Sequence, residues 1–298
     1  VYRKYDMGET DVLVMPNYRV LPGANTTQSE LSIDVHPLNS SIMFAGSNAT
    51  SWSGGTVGTL YGTGVYWTTN AGTNWTGFDN PPFGTNSGDP AAVIGTNGYY
   101  YMGYIDNPGG QGVSVSTNNG STWSSYTIAP NPGILADKNH LMVDKKVGSP
   151  YENRVYATWT DFGGTNDNHA LIKYSTNFGA SWSAVINLSS TLSPGSHAQG
   201  VNVQTGPNGE VYVTFAIYDA WPGGEDAIGF AKSTDGGATW TKTRIYSAVD
   251  FGIRGNLKPT SIRVSSFPSM SVDRSGGAHN GYIYITWPQR TVAPAGND

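Results

Sequence analysis

Four stretches of the sequence follow one pattern and decide the fold: TTNAGTNW at residues 68–75, STNNGSTW at 116–123, STNFGASW at 175–182 and STDGGATW at 233–240. They align without gaps as Ser/Thr-x-Asp/Asn-x-Gly-x-Thr/Ser-Trp, with Asn74 as the one exception at the seventh position. They recur at intervals of roughly 50 to 60 residues, a period typical of folds that use one structural unit several times.

Each copy, called a box below, has the chemistry of a tight turn. An Asp or Asn side chain can accept hydrogen bonds from backbone N–H groups two residues further on, and Gly adopts positive φ without strain. The Ser or Thr hydroxyl can bond back to the turn, and the closing Trp opens the next strand with a large ring to bury. A strand precedes every copy, so each box predicts a β-hairpin.

A second repeat lies between the boxes, and it consists of a strand, a turn and an aromatic-rich strand. Its copies are 31–35 with 42–45, 91–94 with 99–104, 140–144 with 154–159, 201–203 with 211–215, and 269–273 with 282–287. Together with the box hairpin, each unit has four antiparallel strands, which is the composition of a propeller blade.

The sequence therefore predicts an all-β protein, a β-propeller of four-stranded antiparallel blades. The blades are expected at about 28–80, 86–128, 137–190, 197–248 and, incompletely, 267–298. Five blades are visible and six or more are expected in the intact protein, since propellers have 4–8. An N-terminal segment, 1–27, precedes the propeller, and its residues 10–20 are a candidate for a strand that closes the ring.

Composition excludes several classes of function. The 16 Lys and Arg residues are scattered, which argues against a nucleic-acid surface. No apolar run approaches the roughly 18 residues of a membrane helix, so membrane insertion is not expected. Without cysteine there is no disulfide or thiol chemistry. The sequence has few charges and abundant Asn, Thr and Tyr, and it starts at Val1 without a targeting segment. These features are expected of an extracellular or cell-surface protein, or of an excised fragment.

The boxes resemble the Asp-box, or BNR, repeats of sialidase-like propellers, although three of the four carry Asn in place of Asp. The stretch QSELSIDVHP at 28–37 also resembles the opening of the first blade in secreted bacterial proteins of that kind. The resemblance implies a secreted, glycan-directed propeller, either a glycoside hydrolase similar to exo-α-sialidases or a non-catalytic binding or structural propeller. It also implies that the boxes lie on the face opposite the active site.

Topology then places the functional loops. If the boxes join the third and fourth strands of each blade, the opposite face is built from 47–63, 105–112, 160–169, 218–226 and residues from 288 onward. Acidic residues there are candidates for acid/base catalysis. They are Asp161, Asp106 and Glu225. The competing interpretation is that such Asp residues cap loop backbone.

Substrate-binding candidates are arginines and exposed tryptophans. The sialidase resemblance implies three arginines that clamp a substrate carboxylate, and the candidates are Arg19, Arg254, Arg263 and Arg290. Its tyrosine nucleophile is not assigned. Trp52 and Trp221 lie on the same face, where a flat ring can stack on a sugar or cover its own loop.

A calcium site is a further hypothesis. Ca²⁺ takes hard oxygen ligands at close spacing, and Asp161, Asn166 and Asp167 are the best cluster of such residues. No cofactor is required by any motif. The expected partner is a glycan or an extracellular protein.

Overall fold

The computed structural model describes residues 3–6, 11–14, 20–21, 25–192, 197–257 and 262–290. All regular structure in these ranges is β-strand. Within them, no helix has the length and apolar character needed to cross a membrane. The candidate ring-closing segment falls partly outside the described residues. Its described strand β2 (Asp11–Val14) pairs with β1 (Arg3–Asp6), and the ring-closing role stays a prediction.

Four sheets of four antiparallel strands follow one another along the chain, and in each sheet neighbouring strands are consecutive in sequence. The first contains β3 (Thr26–Val35), β4 (Met43–Ser53), β5 (Thr56–Thr68) and β6 (Thr76–Phe78). The second contains β7 (Ala91–Ile94), β8 (Tyr100–Ile105), β9 (Gln111–Ser116) and β10 (Ser124–Ala129). The third contains β11 (Leu135–Val143), β12 (Val155–Phe162), β13 (Ala170–Ser175) and β14 (Ile186–Asn187). The fourth contains β15 (His197–Thr205), β16 (Val211–Tyr218), β17 (Ala227–Ser233) and β18 (Thr241–Ser247).

Two shorter hairpins complete the described chain. One is β19 (Gly255–Leu257) with β20 (Ile262–Val264), and the other is β21 (Ser269–Val272) with β22 (Ile283–Thr286). The second begins the fifth unit of the repeat. These sheets confirm the predicted all-β fold of four-stranded antiparallel units.

Each hydrophobic core lies between two successive sheets. Phe44 and Val65 of the first sheet pack with Ile94 and Met102 of the second. The next cores join the second sheet to the third, the third to the fourth, and the fourth to the β21–β22 hairpin. Alternation along the strands explains this layering, because neighbouring residues point to opposite faces of a sheet and both faces of the second, third and fourth sheets are covered.

The first strands of the sheets meet around one axis. A cavity of about 310 Å³ on this axis is lined by two consecutive residues from each of five units, represented by Glu30, Asp89, Lys138, Gly200 and Phe267. The described residues therefore place five units around the axis. The sixth unit expected from the sequence is a prediction that they do not test.

Side chains of the first strands also bind the backbone of the next first strand. Asp34 Oδ2 and Ser32 Oγ on β3 accept hydrogen bonds from the backbone N–H groups of Ile94 and Ala92 on β7, at 2.8 and 2.9 Å. His140 Nδ1 on β11 accepts one from Val203 N on β15 at 3.3 Å. These bonds fix neighbouring sheets to each other near the axis.

The boxes form turns, as predicted, with a different hydrogen-bond pattern. In the second box, Asn118 Oδ1 accepts a hydrogen bond from Thr122 N at 2.9 Å, four residues on rather than two. Ser116 Oγ accepts one from Gly120 N at 2.9 Å, and Trp123 Nε1 donates to Gly120 O at 3.1 Å. The third and fourth boxes repeat these three bonds, so Asp and Asn serve the turn equally.

The glycine of a box lies against the sheet before it. Gly120 has φ 79° and a Cβ there would come within 2.9 Å of the Trp67 ring on β5. We expect Gly120→Ala to lower the free energy of unfolding by about 2 to 3 kcal/mol, from positive φ and the forced contact together. Gly148→Ala is the matched control, because Gly148 also has φ 79° but open space around it. For Gly148→Ala, the free energy of unfolding measured with urea is expected to fall by about 1 kcal/mol. Equal losses for the two variants would contradict the role of the Trp67 contact.

Residues 47–63, expected to form a loop on the functional face, are mostly strand. β4 and β5 extend as a long hairpin in which Trp52 pairs with Val57. Its tip is the pair Gly54 and Gly55, both with positive φ, which suits a two-residue turn between twisted strands.

Candidate functional site

A cavity of about 700 Å³ adjoins the axial cavity, with Lys138 and Phe267 in the walls of both. The strand β11 and the β12–β13 loop form one side and contribute Asp137 and Asp167. The other side comes from Trp221, on the β16–β17 loop, and from the arginines of the β19–β20 region, described below. This cavity is the candidate functional site.

A repeated backbone irregularity occurs in the first strands that line the two cavities. The pairing register shifts between Ser29 and Ser32 in β3, between Asp137 and His140 in β11, and between Gln199 and Asn202 in β15. Each shift is a β-bulge, which re-aims side chains and often lies beside functional sites.

At these bulges the chain takes up positive φ. The values are 52° at Glu30, 54° at Lys138 and 72° at Gly200, and Asp89, two residues before β7, has 56°. Only the glycine adopts this conformation freely, and a residue with a side chain loses roughly 1 to 2 kcal/mol in it. Strain of this kind persists where surrounding structure imposes it, commonly at functional sites. Three charged residues are held in this way around one axis.

The charged residues contact one another. Lys138 Nζ lies 3.7 Å from Asp89 Oδ2 and 3.8 Å from Asp137 Oδ1. Glu30 Oε2 accepts a hydrogen bond from Asn48 Nδ2 at 3.0 Å, and Asn48 Oδ1 accepts one from Asp89 N at 2.8 Å. Glu30, Asp89, Asp137 and Lys138 are called the axial cluster below.

Burial changes the acidity of two of these carboxyl groups. It raises the pKa of Asp89, and a hydrogen bond to Glu30 raises it further, while Lys138 opposes the rise. Burial also raises the pKa of Asp137, and the Lys138 ammonium and its backbone N–H, which donates to Asp137 Oδ1 at 2.7 Å, oppose that rise. The cluster thus holds two carboxyl groups that burial makes weaker acids than a free aspartic acid.

The opposite wall is aromatic and cationic. Trp221 is 44% exposed, and its ring stacks on the buried His197 at 4.0 Å between centroids. The guanidinium carbon of Arg254 lies 4.3 Å from the Trp221 ring centroid, and its Nη1 donates to the carbonyl oxygens of Pro222 and Gly223. Burial lowers the pKa of His197 under this wall, and the hydrogen bond to Gln199 opposes this. Arg263 is exposed in the same cavity.

Glu225 lies behind this wall and is fully buried. Its Oε1 accepts hydrogen bonds from Tyr218 Oη and Ser266 N, both at 2.9 Å, and its Oε2 accepts one from Arg254 N at 3.2 Å. Burial raises the pKa of Tyr218, and the Glu225 charge raises it further. Glu225 therefore holds the backbone that carries Arg254 rather than facing the cavity.

The two predicted catalytic aspartates lie outside the walls of the cavity. Asp161 is buried on β12, where its Oδ1 accepts a hydrogen bond from Trp159 Nε1 at 2.7 Å. Asp106 Oδ1 accepts one from Gly110 N at 2.7 Å and caps the β8–β9 turn. The capping interpretation accounts for Asp106, and burial raises the pKa of Asp161.

The predicted calcium ligands are not brought together. Asp167 Oδ1 accepts a hydrogen bond from Gly163 N at 2.6 Å, and Asn166 Oδ1 accepts one from Asn187 Nδ2 at 3.3 Å, while Asp161 bonds to Trp159. Among the residues that the structure describes, no group of three His, Cys, Asp or Glu side chains could hold a metal ion.

The predicted substrate-binding residues divide into two groups. Arg254, Arg263 and Trp221 line the cavity. Arg290 instead pairs with Asp250 at 3.0 Å and donates from Nε to Gly252 O at 2.6 Å. Trp52 lies on the β4–β5 hairpin, 38% exposed. Arg19 falls outside the described residues.

None of Glu30, Asp89, Asp137 and Lys138 is among the predicted site residues. Each lies one to three residues before a copy of the first strand, outside the stretches that the repeat identifies.

Comparison with solved structures identifies the architecture. The chain is similar to a GH93 α-L-arabinofuranosidase of Fusarium graminearum, solved with arabinobiose, at 14% identity and a TM-score of 0.54, over 89% of this chain and 77% of that one. It is similar to an α-L-arabinanase of Penicillium chrysogenum, also with arabinobiose, at 14% identity and a TM-score of 0.55, over 87% and 74%. The chain is a β-propeller.

A third similar structure is a protein of unknown function from Dyadobacter fermentans, at 14% identity and a TM-score of 0.55, over 91% of this propeller and 81% of that chain. No protein-family model and no curated protein matches the sequence. At this identity the solved structures establish the fold of the propeller, and its resemblance to sialidases stays a prediction.

Proposed function

We propose that this propeller is a glycoside hydrolase whose acid/base pair is Asp89 and Asp137. The observation that carries the proposal is the axial cluster, where both carboxyl groups contact one ammonium group, Asp137 lines the cavity of about 700 Å³ and Asp89 lines the adjoining axial cavity. Most glycoside hydrolases use two carboxyl groups that flank the scissile bond, one as acid and the other as base or nucleophile.

The acidity of the pair supports this assignment. A carboxylic acid that must donate a proton near neutral pH needs a raised pKa, and burial raises that of both Asp89 and Asp137. Similarity to propellers solved with a bound arabino-oligosaccharide agrees with a glycan as the ligand. Trp221 offers an aromatic surface of the kind that stacks on sugar rings.

A sialidase is the finer form of the proposal. Its carboxylate clamp would use Arg254 and Arg263, which line the cavity, and a third arginine such as Arg19. Arg290 is engaged by Asp250 on the adjacent loop. An extracellular location, expected from composition, is part of the same proposal.

The test is hydrolysis of a panel by the purified chain. The panel holds aryl α-L-arabinofuranosides, arabinan, a fluorogenic sialoside and neutral aryl pyranosides, each assayed from pH 4 to 8. We expect turnover of one glycoside class. Turnover of the sialoside would support a sialidase. Turnover of an arabinoside would replace the sialidase with an enzyme that hydrolyses arabinosides.

A binding propeller is the alternative, and the partly exposed Trp221 beside Arg254 is the observation that favours it. Glycan-array binding without turnover of any panel member, lost in Trp221→Ala, would establish that alternative and refute the hydrolase.

A further inference from the structure

Lys138 occupies the one position of the axial cluster from which a cation reaches both proposed catalytic carboxyl groups. Its ammonium lies 3.7 Å from Asp89 and 3.8 Å from Asp137, and its side chain is 27% exposed. It also lines both cavities. Opposite charges at this separation lower a carboxyl pKa by roughly 1 to 3 units in a partly buried site.

The backbone explains how a lysine comes to lie there. At φ 54° the chain at Lys138 forms the β11 bulge, where an L-residue is strained, while the equivalent residue of β15 is Gly200. A glycine would fit the same bulge without strain. Lys138 therefore keeps a side chain at a position where the backbone conformation favours glycine. This indicates that its ammonium group contributes to the site.

The charged groups around Lys138 indicate that this contribution is electrostatic. Facing it are Asp137 on its own strand, Asp89 before β7 and, beyond Asp89, Glu30 on β3. Asp167, Arg254 and Arg263 face the same larger cavity from the other elements that line it. Two carboxyl groups thus contact one ammonium group and a third adjoins Asp89, so removal of the ammonium group would leave Asp89 and Asp137 with no cation in direct contact among the described residues.

We infer that Lys138 is a positioning residue that holds Asp89 and Asp137 in the charge state on which hydrolysis depends. The expected effect on catalysis rests on the proposed function. The expected effect on the charge state of Asp89 and Asp137 rests only on the geometry of the axial cluster. Lys138 itself need not touch the substrate.

The experiment compares Lys138→Met, Lys138→Arg and Lys138→Gly with wild type and with Lys146→Met, a control at an exposed lysine of the β11–β12 turn. In Lys138→Met, the acidic limb of the pH profile of kcat/KM is expected to move up by about one pH unit, because an ionised carboxylate becomes harder to form. Lys138→Arg should restore most of the shift. Lys138→Gly should show the same shift as Lys138→Met, since it removes the charge but suits the bulge.

A readout without turnover separates the two proposals. The carboxyl ¹³C resonances of Asp89 and Asp137, assigned with single Asn variants, are followed from pH 3 to 8 in protein labelled at aspartate. Raised titration midpoints in Lys138→Met, without any hydrolysis by wild type, would keep this inference and reject the proposed hydrolase. Midpoints and pH profile unchanged from wild type would overturn the inference, whatever the activity.

Discussion

In the proposed hydrolase, Asp137→Asn is expected to lower kcat/KM by 10²- to 10⁴-fold on the glycoside that the panel identifies, which is the range that a positioned acid or base contributes. The amide cannot exchange a proton with the leaving group or with water. It keeps an Oδ1 acceptor for the hydrogen bond that Asp137 now receives from Lys138 N at 2.7 Å. The bulge at the site should therefore survive, and the loss should appear mainly in kcat. Asp89→Asn is expected to act in the same way.

Asp106→Asn is the matched control. Its carboxylate caps a turn by accepting a hydrogen bond from Gly110 N at 2.7 Å, which an amide oxygen also does. Activity should stay within about twofold of wild type, because surface and capping changes of this kind alter little. Steady-state kinetics of the three variants measure the effect on activity, and urea unfolding verifies that each variant is folded. Asp137→Asn with more than half of wild-type kcat/KM would rule out its role as acid or base.

The largest expected effect on stability is that of Asp34→Ala. Lys145 Nζ donates to both carboxylate oxygens of Asp34, and the lysine side chain is only 9% exposed. Asp34 also accepts the Ile94 N–H, so one carboxylate joins the first, second and third sheets. Burial lowers the pKa of Lys145 and Asp34 opposes this, so the variant leaves a buried cation uncompensated. Breaking one partner of a buried pair typically costs about 3 to 5 kcal/mol.

Asp219→Ala provides the contrast, because its pair with Arg244 lies at the surface, where Asp219 is 48% exposed. Exposed pairs contribute about 0 to 1 kcal/mol. The double variant Asp34→Ala with Lys145→Met should regain part of the lost stability, since no buried charge is then left alone. Urea unfolding midpoints measure all three. A loss for Asp34→Ala no greater than that for Asp219→Ala would contradict the role of this pair.

Turn chemistry made the sheets predictable from sequence. A box such as 116–123 holds its own hydrogen bonds within eight residues, so its Ser, Asn, Gly and Trp identify the hairpin without any distant contact. The aromatic strands between boxes are short, mostly apolar runs, typical of strands that are buried on both faces, and β8 and β16 are buried along their whole length. This is why the all-β, four-stranded architecture could be read from the printed residues alone.

The axial cluster could not be found by the same means, because a bulge interrupts the alternation that marks a strand. β11 begins at Leu135, yet the pattern identifies a strand only from His140, after the bulge at Lys138 and Asn139. The stretch between them reads as a polar loop. Asp161 illustrates the reverse error, since it was assigned to a loop and lies on β12 opposite Ala136. Which residues meet at the axis depends on five strands converging, and no local pattern contains that information.

Two roles fall on the same first strand, and this has a consequence for evolution. The middle of β3 carries Glu30 of the axial cluster, and Ser32 and Asp34, two and four residues further on, carry the bonds to the next sheet. A mutation in such a strand risks assembly and chemistry together. Among the described residues, the side chains of Asp167 on the β12–β13 loop and Trp221 on the β16–β17 loop form no hydrogen bond to the backbone of a first strand. In the proposed hydrolase, new substrate preferences should therefore arise by changes at those two positions, while the strands around the axis stay under purifying selection.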